Sequence, residues 1–395
     1  MSNRHMKRRI LIVTNLYPNS REPVRGLYIK QLVDRLRSTY EVRVVSPVPW
    51  APAWFAERWR PEVALPREET IDGVHIYHPR YLAIPKVFRF SHGFTFGAAV
   101  RKALNSIRPE YEFELISVHW LFPDAFGTVL AARAMKVPVV AHALGCDVND
   151  YLRYPLRRRM IYWALAKATA VVAKSEEMAD KIIGLGIDKR KVEAIHNGVD
   201  RSLFHRRDQA EQRLALHLPA QAKIVLFIGN LSPEKGITYL LQAVSQLRRS
   251  GTELILCMIG EGPLRGDIEK EVRFLGIEDR TLFLGRVRHD RIPYFLNAAD
   301  ALCLPSLREG CPNVVLEALS SGTAVVASAV GAIPEMMART RIGFVAEPGD
   351  VPALADKLLQ AVCLNVDVDR SFEWGDWEQN ADAISSVFSR SIGAP

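Results

Sequence analysis

The sequence predicts an α/β fold made of two Rossmann-like, doubly wound parallel-sheet domains that face a cleft. Its 395 residues are too many for one ordinary hydrophobic core and suit two domains. Short apolar runs alternate with amphipathic segments at helical spacing, which is typical of a parallel sheet covered on both faces. The alternation pauses in a polar stretch, 196–222, and restarts near Lys223, so we interpret that stretch as a linker.

The first domain is predicted to comprise residues 1–205. Short apolar runs predict its strands at Arg8–Asn15, Val42–Ser46, Leu115–His119, Val137–Ala143 and Ala170–Ala173. Helical spacing of apolar residues predicts helices at Val24–Arg37, Ala125–Met135 and Glu176–Ile183. The stretch Pro47–Phe96 is rich in proline and aromatic residues, and we interpret it as an excursion from the sheet without assigning its elements.

The second domain is predicted to comprise residues 206–371. Its strands are predicted at Ile224–Gly229, Glu253–Gly260, Thr281–Leu284, Ala301–Pro305, Ala324–Ser328 and Gly343–Val345. Its helices are predicted at Ile237–Arg248, Leu264–Phe274, Ile292–Ala298, Asn313–Ser320 and from Ile333 onward. Ligands of such sheets bind beyond the carboxyl ends of the strands, so the loops that follow the strands are the candidate sites.

The net charge of +8 is unevenly distributed along the chain. Residues 1–204 hold 32 Lys+Arg and 20 Asp+Glu, a net +12, which leaves −4 for the remainder. A basic half suggests an anionic partner such as nucleic acid, phospholipid headgroups or an anionic glycan carrier, although a soluble basic surface would have the same composition. No nucleic-acid-binding motif is present, so nucleic acid is not predicted as a partner.

Targeting and redox features predict a cytoplasmic chain. The apolar run Ile10–Val13 after the basic start is too short for a signal peptide, and the uncharged stretch Ala318–Pro334 is interrupted by turn residues. The cysteines are scattered without a CxxC pair or a histidine cluster, which predicts a reduced chain without structural zinc. They are Cys146, Cys257, Cys303, Cys311 and Cys363.

Three segments of the second domain carry the chemistry. Gly229–Gly236 follows a predicted strand, and its Lys235 adds a positive charge near a helix start, where an anion is favoured. Ile259–Arg265 contains a Gly-x-Gly at a strand exit, which lets the backbone approach a ligand closely. Pro305–Ala318 contains Glu309 and Glu317, whose carboxylates could accept hydrogen bonds from sugar hydroxyls.

Together these segments resemble glycosyltransferase family 4, whose members have the GT-B fold, and the resemblance covers almost the whole chain. Further matching pieces are Asn197–Asp200, Leu284–Val287, Ala299–Ala301 and Val330–Glu335. The resemblance implies that Glu309 contacts the hydroxyls of a donor sugar, Glu317 contacts the ribose and Lys235 neutralises the donor diphosphate. It also implies that donor-binding positions include Gly26, Gly262 and the loop formed by Gly310, Cys311, Pro312, Asn313 and Val314.

Motifs in the first domain resemble one branch of this family, the bacterial surface-polysaccharide transferases, such as those of teichuronic acid synthesis. The pieces that indicate this branch are Arg25-Gly26, His119-Trp120 and Gly145-x-Asp147. Two positions depart from the family pattern. Asn230 stands where an arginine often contacts the donor, and Leu144 stands where a histidine often precedes the Gly-x-Asp. His142 and His119 are both candidates for the missing histidine, and the sequence does not choose between them.

The resemblance implies a retaining transfer without metal or cofactor, in which the departing diphosphate helps to accept the proton of the acceptor. The expected partners are a nucleotide sugar and a glycan or lipid-linked acceptor; UDP- and GDP-sugars both stay open. Asp367-Val-Asp369 is interpreted as a solvated connection instead of a metal site. A GT-B sugar-nucleotide epimerase and an inactive transferase-like scaffold are the alternatives.

Two segments of the first domain mix basic and aromatic residues, which suits contact with an anionic membrane surface. They are Tyr151–Ala168 and Pro85–Phe96. We therefore expect peripheral association with the inner leaflet. The amphipathic segment Trp374–Arg390 predicts a final helix, and by resemblance residues 372–395 are expected to pack back on the first domain.

Overall fold

The computed structural model describes residues 7–51, 65–83, 89–364 and 368–393. The chain forms two compact units. The first unit contains the residues up to Asn197 together with those from Trp377 onward, and the second unit spans Gly198–Asp376. Each unit has a mainly parallel sheet with helices on both faces, so the predicted α/β class with two Rossmann-like units is confirmed.

The main sheet of the first unit has the order β10-β9-β8-β7-β1-β2-β5-β4. The strands of this unit are β1 (Arg8–Val13), β2 (Tyr40–Val45), β3 (Val48–Trp50), β4 (Glu68–Ile71), β5 (Val74–Tyr77), β6 (Arg80–Leu82), β7 (Leu115–His119), β8 (Val139–His142), β9 (Ala170–Ala173) and β10 (Val192–Ala194). Its helices are α1 (Leu27–Leu36), α2 (His92–Ile107), α3 (Phe126–Ala132), α4 (Cys146–Asn149), α5 (Pro155–Lys167) and α6 (Glu176–Gly184).

Burial on both faces explains why the sequence of β1 is a continuous apolar run. Its residues from Ile10 to Val13 are fully buried, because helices cover both faces of the sheet. One of those helices comes from the end of the chain: α14 (Trp377–Gly393) belongs to this unit. Phe388 of α14 packs edge-on against Tyr40 of β2 with ring centroids 5.9 Å apart.

The second unit has a six-stranded, entirely parallel sheet in the order β13-β12-β11-β14-β15-β16. Its strands are β11 (Lys223–Ile228), β12 (Leu254–Ile259), β13 (Thr281–Gly285), β14 (Ala301–Leu304), β15 (Ala324–Ser328) and β16 (Gly343–Ala346). Its helices are α7 (Gln209–Ala215), α8 (Ile237–Arg249), α9 (Arg265–Phe274), α10 (Ile292–Ala298), α11 (Asn313–Ser320), α12 (Ile333–Met337) and α13 (Val351–Val362).

The strand order of the second unit has a switch point between β11 and β14. From β11 the chain proceeds outward through β12 and β13, then returns to the other side of β11 and proceeds through β14, β15 and β16. The loops after β11 and β14 therefore diverge and leave a crevice at the carboxyl edge of the sheet. That crevice is where ligands of doubly wound sheets bind.

Three sequence-based expectations differ from the structure. The stretch 196–222 is not a bare linker, because it contains α7, whose first turn is capped by the Asp208 carboxylate accepting from the Glu211 N–H at 2.8 Å. The unassigned excursion contains β3 to β6, and β4 pairs antiparallel with β5 at the sheet edge. The predicted strand Val137–Ala143 ends at His142, so Leu144 lies in the following loop.

None of the helices in the described ranges is long and apolar enough to span a bilayer.

Candidate functional site

The crevice at the switch point of the second unit brings together two predicted site residues. Lys235 follows β11 and Glu309 follows β14, and the Lys235 ammonium donates to Oε1 of Glu309 at 2.6 Å. The Ser306 hydroxyl donates to the same carboxylate oxygen at 2.7 Å. The side chains of Lys235 and Glu309 are 21% and 12% exposed, so the pair is largely shielded yet still open to a ligand.

Backbone contacts hold the two loops of this crevice together. The Leu307 N–H donates to the Glu234 carbonyl at 2.8 Å, which links the loop after β14 to the loop after β11. Gly236 begins α8 with φ +61°, and a Cβ there would lie 2.1 Å from the Pro305 carbonyl oxygen. Only glycine fits this contact, because an L side chain would be both strained and blocked.

The predicted sugar- and phosphate-binding segment, Gly310–Val314, follows Glu309 and continues into the first turn of α11, which begins at Asn313. Pro312 precedes that helix in an extended conformation, while Cys311 and Val314 pack against the core of the unit. The Ala332 N–H donates to the Gly310 carbonyl at 2.8 Å and anchors the loop to the segment after β15. The N–H groups of the first turn of α11 can face an anion at this edge of the sheet.

Glu317 lies on α11, where its carboxylate pairs with Nε2 of His289 at 2.8 Å. Burial alone would lower the pKa of His289, but the hydrogen bond to Glu317 and the charge of that carboxylate raise it above the ordinary value. The His289 ring also packs edge-on against Phe204, with centroids 5.2 Å apart. Sequence reasoning missed His289; its position in the loop after β13 was the available signal.

The remaining donor-site predictions, Asn230 and Gly262, lie on two loops that are bonded to each other. The Leu231 N–H donates to the Glu261 carbonyl at 3.0 Å, and the Leu264 N–H donates to the Leu231 carbonyl at 3.1 Å. A Cβ on Gly262 would lie 2.4 Å from the Leu231 carbonyl oxygen, so glycine is needed for close packing there. Asn230 is exposed beside this contact.

The first unit carries a separate polar cluster at the carboxyl edge of its own sheet. His119 ends β7 and His142 ends β8, and their rings stack with centroids 4.1 Å apart. The Ser117 hydroxyl lies 3.2 Å from Nε2 of His119 and 2.9 Å from Nε2 of His142. Burial, together with the nearby Lys174 charge, lowers the pKa of His119 to about 3, and burial likewise holds the pKa of His142 well below its usual range.

Two buried carboxylates accompany the histidines. Asp124 accepts from the Asn15 N–H at 2.7 Å, which fixes the loop after β1. Asp147, in the Gly-x-Asp motif, accepts from the backbone N–H groups of Leu121 and Gly145 at 2.9 and 2.8 Å, and also from those of residues 144 and 148. Burial raises the pKa of Asp124, and it raises that of Asp147 to about 6 against the lowering effect of these N–H groups.

Strained backbone marks the same edge. Gly26 begins α1 with φ +61°, and a Cβ there would lie 2.1 Å from the Leu16 carbonyl oxygen. Trp120, directly after His119, has φ +91°, a conformation that a bulky side chain rarely adopts. Its N–H donates to the His142 carbonyl at 3.0 Å, and its ring packs edge-on against Tyr151. Such strain concentrates where function requires it.

The described residues contain no group of three or more His, Cys, Asp and Glu side chains placed to hold a metal ion. Of the Asp-x-Asp motif, Asp369 accepts from the Ser371 N–H at 2.9 Å, while Asp367 lies outside the described residues.

Comparison with known families matches both units. The family model described as "Glycosyltransferase Family 4" matches residues 26–203, and that described as "Glycosyl transferases group 1" matches residues 208–369. These two ranges cover the polar clusters of both sheets.

Two relatives and one solved structure support the same assignment. A Bacillus subtilis protein named for teichuronic acid biosynthesis, the glycosyltransferase TuaC, is 26% identical over 361 residues, which are 89% of this chain and 88% of that protein. The 2-deoxystreptamine glucosyltransferase of Streptomyces kanamyceticus is 30% identical over 63% of this chain and 68% of its own length. The crystal structure of Anabaena HepE in complex with UDP-glucose has a TM-score of 0.66 at 21% identity and covers 98% of both chains, which shows the shared fold.

Proposed function

The chain belongs to glycosyltransferase family 4 and has the GT-B fold, and from this premise we propose that it transfers a sugar from a nucleotide-sugar donor to a glycan or lipid-linked acceptor in bacterial polysaccharide synthesis. The observation that carries the proposal is the Lys235–Glu309 pair in the crevice between the loops after β11 and β14. One ammonium and one carboxylate there suit a substrate with a diphosphate beside a sugar.

The ion pair has a direct use in donor binding. A diphosphate carries more negative charge than one carboxylate and would compete with Glu309 for the Lys235 ammonium. Glu309, still held by Ser306, would then accept hydrogen bonds from hydroxyls of the donor sugar. The loop Gly310–Val314 and the start of α11 would offer N–H groups to the sugar and phosphates.

The Glu317–His289 pair would hold the nucleoside. The side chain of Glu317 is 12% exposed and is oriented by His289. Its carboxylate can therefore accept hydrogen bonds from the ribose hydroxyls without a large loss of side-chain entropy. Gly262 and Asn230 would line the path of the base.

The reaction we propose retains the anomeric configuration. The acceptor hydroxyl attacks the anomeric carbon from the face that the diphosphate leaves, the glycosidic bond to the diphosphate breaks, and a departing phosphate oxygen accepts the hydroxyl proton. Lys235 and the helix N-terminus stabilise the charge that develops on the diphosphate, so neither an enzymic nucleophile nor a metal ion is required.

The first unit would bind the acceptor. Because their pKa values are low, His119 and His142 are neutral at physiological pH and keep this edge of the sheet uncharged, although their rings are themselves buried. The close backbone approach at Gly26 would let the N–H groups at the start of α1 reach a phosphate.

The test is a panel of UDP- and GDP-sugars incubated with and without glycan and lipid-linked acceptors. We expect nucleotide release that depends on the acceptor, continues in EDTA and gives a product with the donor's anomeric configuration by proton NMR. Conversion of the donor alone to an isomer would instead indicate an epimerase. Donor binding with no turnover on any acceptor would indicate an inactive scaffold.

We also propose that the first unit contacts an anionic membrane. Helix α5 and the preceding Tyr154 expose apolar and aromatic side chains, those of Tyr154, Leu156 and Tyr162, beside Arg158 and Arg159. Arg157 stacks on the Tyr151 and Tyr154 rings, 4.8 and 4.9 Å from their centroids. In the other predicted segment, residues 84–88 lie outside the described residues.

Flotation with phosphatidylglycerol vesicles at low salt tests this contact. We expect binding that is lost when Arg158 and Arg159 are changed to Gln, while the matched change of Arg249 and Arg273 in the second unit leaves it intact. No flotation of the unaltered chain would contradict the proposal.

A further inference from the structure

A second polar cavity lies at the opposite, amino edge of the sheet in the second unit. It has a volume of about 520 Å³ and is bordered by the starts of three neighbouring strands: Lys223 opens β11, Asp300 precedes β14 and Thr323 precedes β15. Lys235 and Glu309 follow the other ends of β11 and β14, so this cavity is separate from the crevice proposed to bind the donor.

Four cationic side chains line the cavity: Arg206, Arg207, Lys223 and Arg370. The residues from 205 onward carry a net −4, so this concentration of positive charge is not a general property of that half of the chain. Like charges gathered at one site repel one another unless an anion lies between them.

The carboxylates of the cavity are already engaged elsewhere. Asp300 accepts from the Arg213 guanidinium at 2.9 Å and from the Ile224 N–H at 2.6 Å. Asp208 caps α7 through the Glu211 N–H. Within the part of the chain that the structure describes, none of the four lining cations is within ion-pair distance of a carboxylate.

Part of the positive charge serves the local backbone. Arg370 donates from Nη1 to the Gly322 carbonyl at 2.8 Å, just beyond the end of α11, and Arg207 donates from Nη2 to the Leu203 carbonyl at 3.3 Å. These contacts satisfy backbone carbonyls, but each guanidinium has further donors.

Three polar atoms of the cavity residues stay buried without a hydrogen-bond partner among the described residues: Nε of Arg207, Nε of Arg370 and Oγ of Ser321. The Ser321 residue is 2% exposed. These three atoms are closed off from solvent, so a ligand in the cavity would meet the terminal nitrogens of Arg207 and Arg370 instead. Burial, together with the nearby Arg206, also lowers the pKa of Arg370, which is the direction expected where cations crowd together.

We propose that this cavity is a binding site for a phosphate-bearing small molecule with at least two negative charges, distinct from the donor. Planar guanidinium groups match phosphate oxygens in pairs, and Arg206, Arg207 and Arg370 supply three of them. The volume accommodates a free pyrophosphate or a sugar phosphate.

The test is isothermal titration of the full chain with inorganic pyrophosphate, carried out on the Lys235→Ala variant to weaken binding of the probe in the donor crevice. Adding Arg206→Gln and Arg370→Gln is expected to weaken pyrophosphate binding about tenfold or more, because each charge-assisted phosphate contact contributes a factor of this order. Lys223→Gln should weaken it less. The exposed pair Arg249→Gln and Arg273→Gln should leave it unchanged.

Equal affinity in the cavity variant and its Lys235→Ala parent would overturn the proposal, as would an equal loss in the exposed control pair. If the double cavity variant does not fold, Lys223→Gln, whose side chain is exposed, decides the same question. A parallel titration with glucose 1-phosphate separates the two sources of the ligand: tighter binding than pyrophosphate indicates a sugar phosphate, and weaker binding indicates a free polyphosphate. Because transfer activity is not the readout, failure here is distinguishable from failure of the proposed transfer.

Discussion

The carboxyl edges of the two sheets share a backbone arrangement but differ in their electrostatics. At the first edge, His119, His142 and Asp147 are buried, and their pKa values are shifted toward their neutral forms. At the second, Lys235 and Glu309 form a partly exposed ion pair, and the pKa of His289 is raised toward its charged form by Glu317.

The two edges have one backbone feature in common. Gly26 and Gly236 both have φ +61° and both begin a helix. At each position, an added Cβ would lie only 2.1 Å from a backbone carbonyl oxygen. The difference therefore comes from the side chains that follow the neighbouring strands. A charged edge suits a charged ligand such as a diphosphate, and an uncharged edge suits a ligand that is bound through hydroxyls.

The largest expected effect is at the charged edge. Lys235→Ala removes the ammonium that would neutralise the leaving diphosphate, so the transfer rate should fall about 10²- to 10³-fold, as for other losses of one preorganised charge at a transition state. Steady-state turnover with a saturating donor measures it. Glu309→Gln should cause a loss of similar size.

Lys270→Ala is the matched control, since Lys270 is 73% exposed and pairs with Asp267 on the helix surface. An unchanged rate in Lys235→Ala would mean that the charged edge does not bind the leaving diphosphate as proposed.

The shared backbone can be tested next. Gly236→Ala and Gly26→Ala should each lower the free energy of unfolding by about 3 kcal/mol, because an L residue is strained at positive φ and its Cβ meets a carbonyl oxygen. Gly251→Ala should lower it by only about 1 kcal/mol, since Gly251 also has positive φ but no atom lies within 4 Å of its Cβ position. Urea unfolding provides the measurement. Equal losses at the three positions would show that the carbonyl contacts do not matter.

The buried histidines of the neutral edge predict that the stability of the protein depends on pH. The pKa of each buried histidine is lower in the folded state than in the unfolded chain, so the folded state binds fewer protons at mildly acidic pH. Their contribution to stability is complete above the unfolded pKa of about 6.5 and is lost as the pH falls toward the folded value. For His119, whose folded pKa is about 3, this amounts to about 2 kcal/mol between pH 7 and 5.

His142→Gln should remove the part of that dependence that comes from His142 and leave the part from His119, which appears as a difference between the pH profiles of the two proteins. The difference is needed because Asp147, with its pKa raised to about 6, contributes stability with the opposite sign as the pH falls. Parallel profiles would mean that His142 is not kept neutral by the fold.

The smallest effect is expected at the nucleoside side of the charged edge. His289→Gln keeps a hydrogen-bond donor near Glu317 but removes the charge, so KM for the donor should rise about fivefold, or about 1 kcal/mol, with little change in kcat. His205→Gln, at an exposed position of the same unit, is the control. A fall in kcat without a change in KM would place His289 with the reacting atoms instead.

Much of the fold was predictable because buried parallel strands are continuous apolar runs. Leu115–His119, Ala170–Ala173 and Ala324–Ser328 were predicted with their observed bounds. The short strands β3 to β6 were not predicted, because proline and aromatic residues obscure their alternation. The helix α7 was missed because its stretch is mostly polar and charged.

The site was predictable only where a residue follows a strand in a recognisable motif. Glu309 and Lys235 met that condition, and the structure brings them into contact. His289 was missed because its partner Glu317 is 28 residues away, and no local pattern reports such a pairing. The burial of Asp124 depends on the turn after β7, and the secondary-structure propensities of single residues do not predict that turn.

Helix α14 has a consequence for biogenesis on the ribosome. Its Trp377, Ile384 and Phe388 complete the core around β1 and β2, yet they are synthesised after the entire second unit. The second unit can fold while translation continues. The first unit cannot complete its core until α14 has been synthesised, and until then Tyr40 and its apolar neighbours stay exposed. Nascent chains arrested before Trp377 should therefore contain a folded second unit and an incompletely folded first unit that recruits chaperones.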